Sequence, residues 1–132
     1  MEGATYALRN GFDALRSAGL SFTAVRLTGG GSQSVAWRQM VADVFALPVE
    51  VPRQAEGAAF GAALQALWAC DRAGGGKSTI AAIAREHADV DAAQSAQPDP
   101  ATAGAYREHY DRFLDHLEAT KQFYANHADP ST

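Results

Sequence analysis

Three consecutive glycines, Gly29, Gly30 and Gly31, are the residues of this sequence whose type and spacing best suit chemistry. Glycine has no Cβ and accepts positive φ, so a ligand can approach its backbone closely. An apolar run at residues 22–28 precedes the glycines, and a segment with helical spacing follows them. Unpaired N–H groups and the positive end of a helix dipole favour phosphate at such a junction. The pattern predicts a nucleotide or phosphate site, with a tight connection that binds no ligand as the alternative.

A second glycine cluster, residues 73–79 with the sequence AGGGKST, looks like the end of a P-loop. That motif requires a glycine five residues before Gly76, where this sequence has Asp71. The cluster also follows a predicted helix, whereas a P-loop follows a strand. We therefore expect a flexible loop without phosphate, followed by a short helix that Ser78 or Thr79 caps.

The sequence suggests no catalytic centre and no metal site. Neither a serine–histidine–acid set nor a pair of carboxylates has the spacing for acid–base chemistry. His109 and His116 are separated by about 10 Å along a helix, too far to share one zinc ion, and are expected to face solvent. The single cysteine, Cys70, excludes an internal disulfide and a cysteine-rich metal site, and we expect a buried, inert thiol.

The elements that must position the glycines form a strand–helix–strand unit. The apolar run at residues 22–28 predicts a strand in a sheet interior. Apolar residues at helical spacing then predict a helix that ends near Leu47, because the residue before Pro48 avoids the α region. Residues 48–51, PVEV, predict the second strand. Such a crossover implies two parallel strands and an α/β fold. The apolar face of the helix comprises Trp37, Met40, Val41, Val44 and Phe45.

Three further helices are predicted around this unit. The first spans residues 1–18, with an apolar stripe of Leu8, Phe12 and Leu15 and with Gly19 as its C-terminal cap. The second, residues 56–70, contains Gly57 and Gly61, which indicate either close packing against the sheet or a ligand across the start of the helix.

A polar stretch, residues 89–100, predicts a linker before the last helix, residues 101–128. Asp99 and Pro100 suit the N-cap and first position of that helix. Its predicted packing stripe consists of Tyr106, Tyr110, Phe113, Leu114, Leu117 and Tyr124.

Composition narrows the class of partner. The 132 residues carry a net charge of −4 without a basic stripe, so a nucleic acid is not an expected partner. The longest weakly polar run, residues 57–70, is too short to span a bilayer, and the N-terminal residues do not have the pattern of a signal peptide. The expectation is a cytoplasmic protein that binds neither nucleic acid nor membrane.

A longer combination of residues resembles the C-terminal domain of the FGGY carbohydrate kinases, and most closely that of their xylulokinase type. The family pattern is an apolar strand, a triple glycine, a Trp-Arg-Gln helix, a short strand and an acidic residue that opens a Gly-Ala-Ala helix. The matching positions are Gly29, Gly30, Gly31, Ser32, Trp37, Arg38, Gln39, Asp43, Pro48, Val49, Val51, Glu56, Gly57, Gly61, Ala62 and Ala63. Glu2, Gly3, Pro98, Asp99, Tyr106 and Tyr110 extend the resemblance to both ends.

The resemblance implies part of a ribonuclease-H-like, actin-like ATPase domain: a parallel βαβ core, flanking helices and a long C-terminal helix. Residues 1–88 would then be the C-terminal part of the nucleotide-binding lobe, 89–100 the linker, and 101–128 a helix packed on the lobe. Such kinases use ATP and Mg²⁺ to phosphorylate a sugar hydroxyl. By position, Gly29, Gly30 and Gly31 would lie under the adenosine and phosphates of ATP or ADP.

The resemblance also limits what this chain would do alone. Ser34 matches a position that is an asparagine near the adenine in some relatives, which puts an adenine contact there in doubt. The family's sugar-binding lobe and catalytic aspartate lie upstream of the matching region. We therefore expect a fragment that is inactive alone, meets a sugar only together with that lobe, and has an upstream kinase segment as partner.

Two alternatives remain open at this point. Gly29-x-Gly31-x-x-Ser34, with Glu50 about twenty residues beyond the strand as a ribose-binding acid, predicts a dinucleotide-binding half-domain of an oxidoreductase. Serine at the third glycine position and Glu50 inside the second strand weigh against it. The other alternative is a non-enzymatic module whose tyrosine face binds a partner helix.

Overall fold

A computed structural model describes residues 1–54 and 57–127 of the chain. Within those residues the chain forms five α-helices, two short strands and two 3₁₀ turns. The helices are α1 (Glu2–Ser17), α2 (Val35–Phe45), α3 (Gly57–Ala73), α4 (Ile80–His87) and α5 (Pro100–His127). The strands are β1 (Val25–Arg26) and β2 (Val49–Glu50), and the 3₁₀ turns span Gly30–Gln33 and Ala92–Gln94. Glu56, expected to open α3, and position 128, expected to end α5, lie outside the described residues.

The two strands are parallel, which confirms the strand–helix–strand unit. Val25 pairs with Val49, and Arg26 with Glu50. The N–H of Val25 donates to the carbonyl of Pro48 over 2.8 Å, and the N–H of Leu27 to that of Glu50 over 2.9 Å. The strand expected at 22–28 is shorter, however, and Val25 is only half-buried. The prediction of a sheet-interior strand was wrong for the described residues, because no further strand of that part covers β1.

The other edge of β2 contacts the polar stretch expected to be a linker. Val49 and Ala96 exchange two backbone hydrogen bonds, of 2.8 and 3.0 Å, in antiparallel geometry. The N–H of Asp91 donates to the carbonyl of Val51 over 2.8 Å. Part of this stretch is therefore ordered against the sheet, while the division of the chain at residues 89 and 100 stays a prediction.

The core lies where α1, α2, β2 and α5 meet. Its buried apolar residues are Tyr6, Val41, Ala42, Val44, Phe45, Val49 and Tyr110. Helix α1 contributes Thr5 and Tyr6, whereas Leu8 and Leu15 of the predicted stripe are 54% and 49% exposed. The stripe was wrong at these two positions because α2 and α5 pack on the face of α1 that carries Thr5 and Tyr6.

Local sequence signals set most helix ends. Gly19 has φ of 91° directly after α1, as a C-terminal cap requires. The Asp99 carboxylate accepts the N–H of Ala101 over 2.9 Å at the start of α5. Helix α2 ends at Phe45 because Ala46 adopts φ of 52°, two residues before the proline expected to end it.

Helix α3 packs differently from expectation. None of its described residues is buried, and the Cys70 thiol is exposed, so the predicted buried thiol was wrong. A Cβ on Gly57 would lie 3.7 Å from the Thr28 side chain, whereas a Cβ on Gly61 would meet no heavy atom within 4 Å. Close packing against the sheet therefore accounts for neither glycine, since the nearest atoms to a Cβ on Gly57 belong to Thr28, which follows β1.

Helix α5 presents its predicted stripe to the core along its first half. Tyr110 is buried and Tyr106, Phe113, Leu114 and Leu117 are half-buried, but Tyr124 is 69% exposed. The first part of the tyrosine face thus packs on the chain's own α1 and α2 and is not free for a partner helix. His109 and His116 are exposed, as expected. Among the described helices, none combines the length and apolar character needed to cross a membrane.

Candidate functional site

The three glycines open a single 3₁₀ turn between β1 and α2. Gly29 has φ of 77° and ψ of −172°, a conformation that favours glycine. Its carbonyl accepts the N–H of Ser32 over 3.1 Å and the Ser32 hydroxyl over 2.7 Å. Ser32 itself is buried, so this side chain closes the turn from inside. The first N–H groups of such a turn have no partner within it, which leaves donors for a ligand.

The three glycines differ in what surrounds them and in their backbone conformation. Gly29 needs its positive φ. A Cβ on Gly30 would meet no heavy atom within 4 Å, so this residue faces open space. A Cβ on Gly31 would overlap the Trp37 ring, 2.5 Å from Cε3 and closer still to Cζ3. The expectation that both Gly30 and Gly31 make room for a ligand therefore needs correction at Gly31, where the chain's own indole already fills the space.

Trp37 connects the turn to helix α1. Its indole N–H donates to the hydroxyl of Thr5 over 3.0 Å. Thr5 is fully buried, and its hydroxyl in turn donates to the carbonyl of Met1 over 3.2 Å. The helical period of α2 placed Trp37 on an apolar core face but gave no sign of this polar contact. Thr5 was not predicted from the sequence; the one signal available was a polar residue inside an otherwise apolar helix face.

Arg38 holds the other side of the turn. Its guanidinium is buried, and Nη1 donates to the carbonyl of Ser32 over 2.6 Å and to Oε1 of Gln94 over 3.5 Å. Hydrogen bonds from a charged donor are stronger than neutral ones, so this contact fixes the turn firmly. Arg38 therefore joins the glycine turn to the segment that pairs with β2.

Ser34 serves as the N-cap of α2. Its hydroxyl accepts the N–H of Trp37 over 3.3 Å, and the side chain is exposed. Capping satisfies one of the unpaired donors at the helix start. The structure thus gives Ser34 a local role, and contact with an adenine remains a prediction.

Gln39 and Asp43 tie α2 to the start of α5. The buried carboxylate of Asp43 accepts the Gln39 amide over 2.9 Å and the N–H of Asp99 over 2.8 Å. The Gln39 amide also donates to the carbonyl of Gln97 over 2.7 Å. Within this motif Trp37 and Arg38 therefore contact the turn, whereas Gln39 and Asp43 contact the start of α5.

The carboxylate of Asp71 occupies the loop formed by the second glycine cluster. Oδ2 of Asp71 accepts the N–H of Ser78 over 3.1 Å, and its carboxylate fills the space that a Cβ on Gly76 would need. A carboxylate in this position repels a phosphate. Thr79 caps α4 by accepting the N–H of Ala82 over 3.1 Å, so of the two candidate caps it is Thr79 that acts. That this loop binds no phosphate stays a prediction, which the position of the Asp71 carboxylate supports.

Cavities lined by described residues lie away from the glycine turn. One of about 540 Å³ lies between α1 and the end of α2, and another of about 390 Å³ between α1 and α5. Neither cavity is lined by Gly29, Gly30 or Gly31, so neither belongs to the glycine turn. No group of three metal-binding side chains occurs in residues 1–54 and 57–127.

Comparison with known proteins gives a consistent set of matches. Residues 1–70, which include the glycine turn, match the family model described as FGGY family of carbohydrate kinases, C-terminal domain. The chain is 38% identical to a xylulose kinase of Haemophilus influenzae over 117 residues, which cover 89% of this chain and 23% of that protein. It is 31% identical over 123 residues to a probable L-xylulose kinase of Pasteurella multocida, covering 91% and 23%.

Solved structures show the same similarity. A xyloylose kinase from Brucella ovis superposes with a TM-score of 0.77 at 30% identity, over 92% of this chain and 24% of that one. A gluconate kinase from Lactobacillus acidophilus superposes with a TM-score of 0.79 over 96% and 24%; at 21% identity it shows the fold alone. The chain thus spans about a quarter of the length of the relatives it matches.

These matches exclude the dinucleotide-binding alternative. The matched proteins are carbohydrate kinases. In the structure Glu50 forms a 2.8 Å ion pair with Arg26 on the neighbouring strand. The interpretation of Glu50 as a ribose-binding acid was therefore wrong, because sequence spacing alone could not show that a strand partner neutralises it.

Proposed function

Since this chain belongs to the FGGY family of carbohydrate kinases, we propose that it supplies the C-terminal part of the nucleotide-binding lobe of an ATP-dependent sugar kinase of the xylulokinase type. Its fold is part of the actin-like ATPase fold of the solved kinases. The observation that carries the proposal is the open face of the glycine turn, where Gly29 adopts positive φ and a Cβ on Gly30 would meet no heavy atom within 4 Å.

The turn suits a nucleotide because its backbone can be approached closely. ATP would lie against Gly29 and Gly30. Gly31 would shape the turn through its contact with Trp37, and Ser34 would lie at the C-terminal end of the turn. ATP supplies the γ-phosphoryl group: a sugar hydroxyl oxygen forms the new bond to phosphorus, the bond to the bridging oxygen of ADP breaks, and the hydroxyl proton passes to a base. Positioning and electrostatic stabilisation dominate such a reaction. In this chain the glycine turn does the positioning.

The remaining parts of the reaction belong outside this chain. Mg²⁺ is usually held by one or two carboxylates together with the phosphates. We assign no residue of this chain as a ligand of the ion. The relatives whose names specify xylulose are about four times as long as the matched region. We infer that the base and the sugar-binding residues belong to the part of such a kinase without a counterpart in this chain.

The chain therefore needs a partner segment to phosphorylate a sugar. We propose residues 1–88 as its contribution to the nucleotide-binding lobe, residues 89–100 as the connection, and residues 101–128 as a helix packed on that lobe. An upstream kinase segment, acting in the cytoplasm on a xylulose-like sugar, would complete the enzyme.

Calorimetric titration of the chain with Mg·ATP tests the nucleotide site. Gly30→Val should weaken ATP binding by about tenfold or more, because its branched side chain enters the space where the nucleotide is proposed to lie. Gly11→Val is the matched control, since a Cβ there also meets no heavy atom within 4 Å, on α1 and away from the turn. Binding of ATP that is equal in both variants and the unaltered chain would refute the site.

A further inference from the structure

Two consecutive side chains of α2 hold the glycine turn in place. The Trp37 ring lies against Gly31, and the Arg38 guanidinium donates to the carbonyl of Ser32. The two contacts fall on adjacent residues of the turn. The backbone of Gly30, which has open space beside it, therefore depends on Trp37 and Arg38 for its position.

The Trp37 ring is itself oriented by a residue of another helix. Its indole N–H points to the Thr5 hydroxyl, 32 residues earlier in the chain, at 3.0 Å. Thr5 is fully buried, and the acceptors for its hydroxyl proton are the Met1 carbonyl at 3.2 Å and the Met40 sulfur at 3.7 Å. An apolar contact alone would allow the ring to rotate or slide, whereas a directional N–H···O bond selects one ring orientation. The chain of contacts runs from α1 through Thr5 and Trp37 to Gly31.

We propose that Thr5 and Trp37 are positioning residues for the nucleotide: their hydrogen bond sets where the glycine turn presents its backbone, so that α1 controls ATP affinity without touching ATP. The inference rests on the proposed nucleotide site. Thr5 and Trp37 would then affect ATP binding although neither contacts the adenine or the phosphates. The affinity for ATP would depend on how α1 packs on α2. Nucleotide binding should conversely stabilise that packing, because coupling between two sites is reciprocal.

Two variants remove the hydrogen bond from opposite ends, Thr5→Val with little change of shape and Trp37→Phe with a smaller aromatic ring. Thr5→Val replaces the hydroxyl with a methyl group, and Trp37→Phe keeps an aromatic ring without an N–H. Each should weaken Mg·ATP binding measurably, by up to about tenfold, since the net worth of one hydrogen bond sets the upper limit of the effect. The double variant should be no weaker than Trp37→Phe alone, because that change already removes the hydrogen bond to Thr5. Thr5→Ser keeps the hydroxyl and should restore the affinity.

Spectroscopy separates positioning from simple loss of structure. The chain has two tryptophans, so Trp68→Phe leaves Trp37 as the single reporter. In that background Thr5→Val should shift the Trp37 emission and raise its quenching by acrylamide, while the helical circular dichroism stays unchanged. Thr120→Val is the matched control: it removes an exposed hydroxyl that donates to the carbonyl of His116, and it should alter neither emission nor affinity.

The outcomes distinguish the inference from the function on which it rests. If Gly30→Val abolishes ATP binding while Thr5→Val and Trp37→Phe bind as tightly as the unaltered chain, the positioning role is refuted and the site stands. If the unaltered chain binds no ATP, both are refuted. If Thr5→Val does not fold, Trp37→Phe alone decides, since it changes the other partner of the same bond.

Discussion

The hydroxyl of Tyr110 in α5 donates a 2.9 Å hydrogen bond to Oδ2 of Asp13 in α1, across 97 residues of sequence. Arg9 completes the group: its guanidinium pairs with Asp13 at 3.1 Å and lies over the Tyr110 ring, 5.0 Å from its centroid. Burial, together with the bond to Asp13, raises the pKa of the Tyr110 hydroxyl to about 12. The C-terminal helix is thus fastened to α1 by a hydrogen bond that requires a protonated tyrosine.

This contact predicts a loss of stability at high pH. In the unfolded chain Tyr110 ionises near its ordinary pKa of about 10, whereas in the folded chain it stays protonated up to about 12. Its stabilising contribution is therefore complete below pH about 10 and is lost as the pH rises through about 12. Tyr110→Phe should cost about 1 kcal/mol of unfolding free energy at pH 8, and this cost should shrink above pH about 10. Urea unfolding of Tyr110→Phe and the unaltered chain at pH 8 and above pH about 10 measures this cost. A cost that is independent of pH would contradict the assigned pKa.

Gly31 should matter for stability even without nucleotide. Gly31→Ala places a methyl group in the Trp37 ring and should destabilise the chain by about 1–3 kcal/mol. Gly30→Ala, which meets open space, should leave the unfolding midpoint unchanged. Thermal unfolding of both variants without ATP is the measurement. Equal midpoints for the two variants would show that Trp37 yields to the added methyl group.

Lys77 should contribute little to nucleotide affinity. It follows the glycines that resemble a P-loop, but the Asp71 carboxylate occupies that loop and would repel a phosphate. Lys77→Ala should therefore change the Kd for Mg·ATP less than about twofold, a difference well below 1 kcal/mol. Titration of this variant beside Gly30→Val compares the two glycine clusters directly. A large loss of affinity would restore the P-loop interpretation.

The chain alone should show no sugar kinase activity. A positioned general base contributes about 10²–10⁴-fold to such reactions, and orientation of two bound substrates contributes more. We place both in the part of the kinase that has no counterpart in this chain. A coupled assay for ADP release, with xylulose and Mg·ATP, should give no sugar-dependent turnover, and co-expression with a complementing upstream kinase segment should restore it. Turnover by the purified chain would locate the catalytic residues here.

The isolated chain should be only marginally stable. Several large apolar side chains are exposed, among them Leu67, Trp68 and Ile80 around α3 and α4, and the sheet of the described residues has two short strands. Edge strands and exposed apolar patches favour association. We expect a helical circular dichroism spectrum, a broad thermal transition and concentration-dependent association in sedimentation. A sharp two-state transition of a monomer would instead show a self-sufficient domain.

The sequence determined the local architecture and the family. The period of α2, the glycine cap after α1 and the Asp99 cap of α5 were predictable, because each depends on residues within a few positions of one another. The order of strand, helix and strand was sufficient to predict a parallel pair. The combination of motifs identified the kinase family, because so many residue types at fixed spacing rarely coincide.

Only the tertiary structure decided what individual side chains contact. Gly31 is required by Trp37, and Trp37 is oriented by Thr5 of another helix. Periodicity gives the face on which a residue lies, but not the residue that it meets, since that depends on how two helices are rotated and shifted against each other. The exposure of Cys70 and the pairing of Ala96 with Val49 were unpredictable for the same reason: both follow from the packing of distant segments, which the residues adjacent in sequence do not specify.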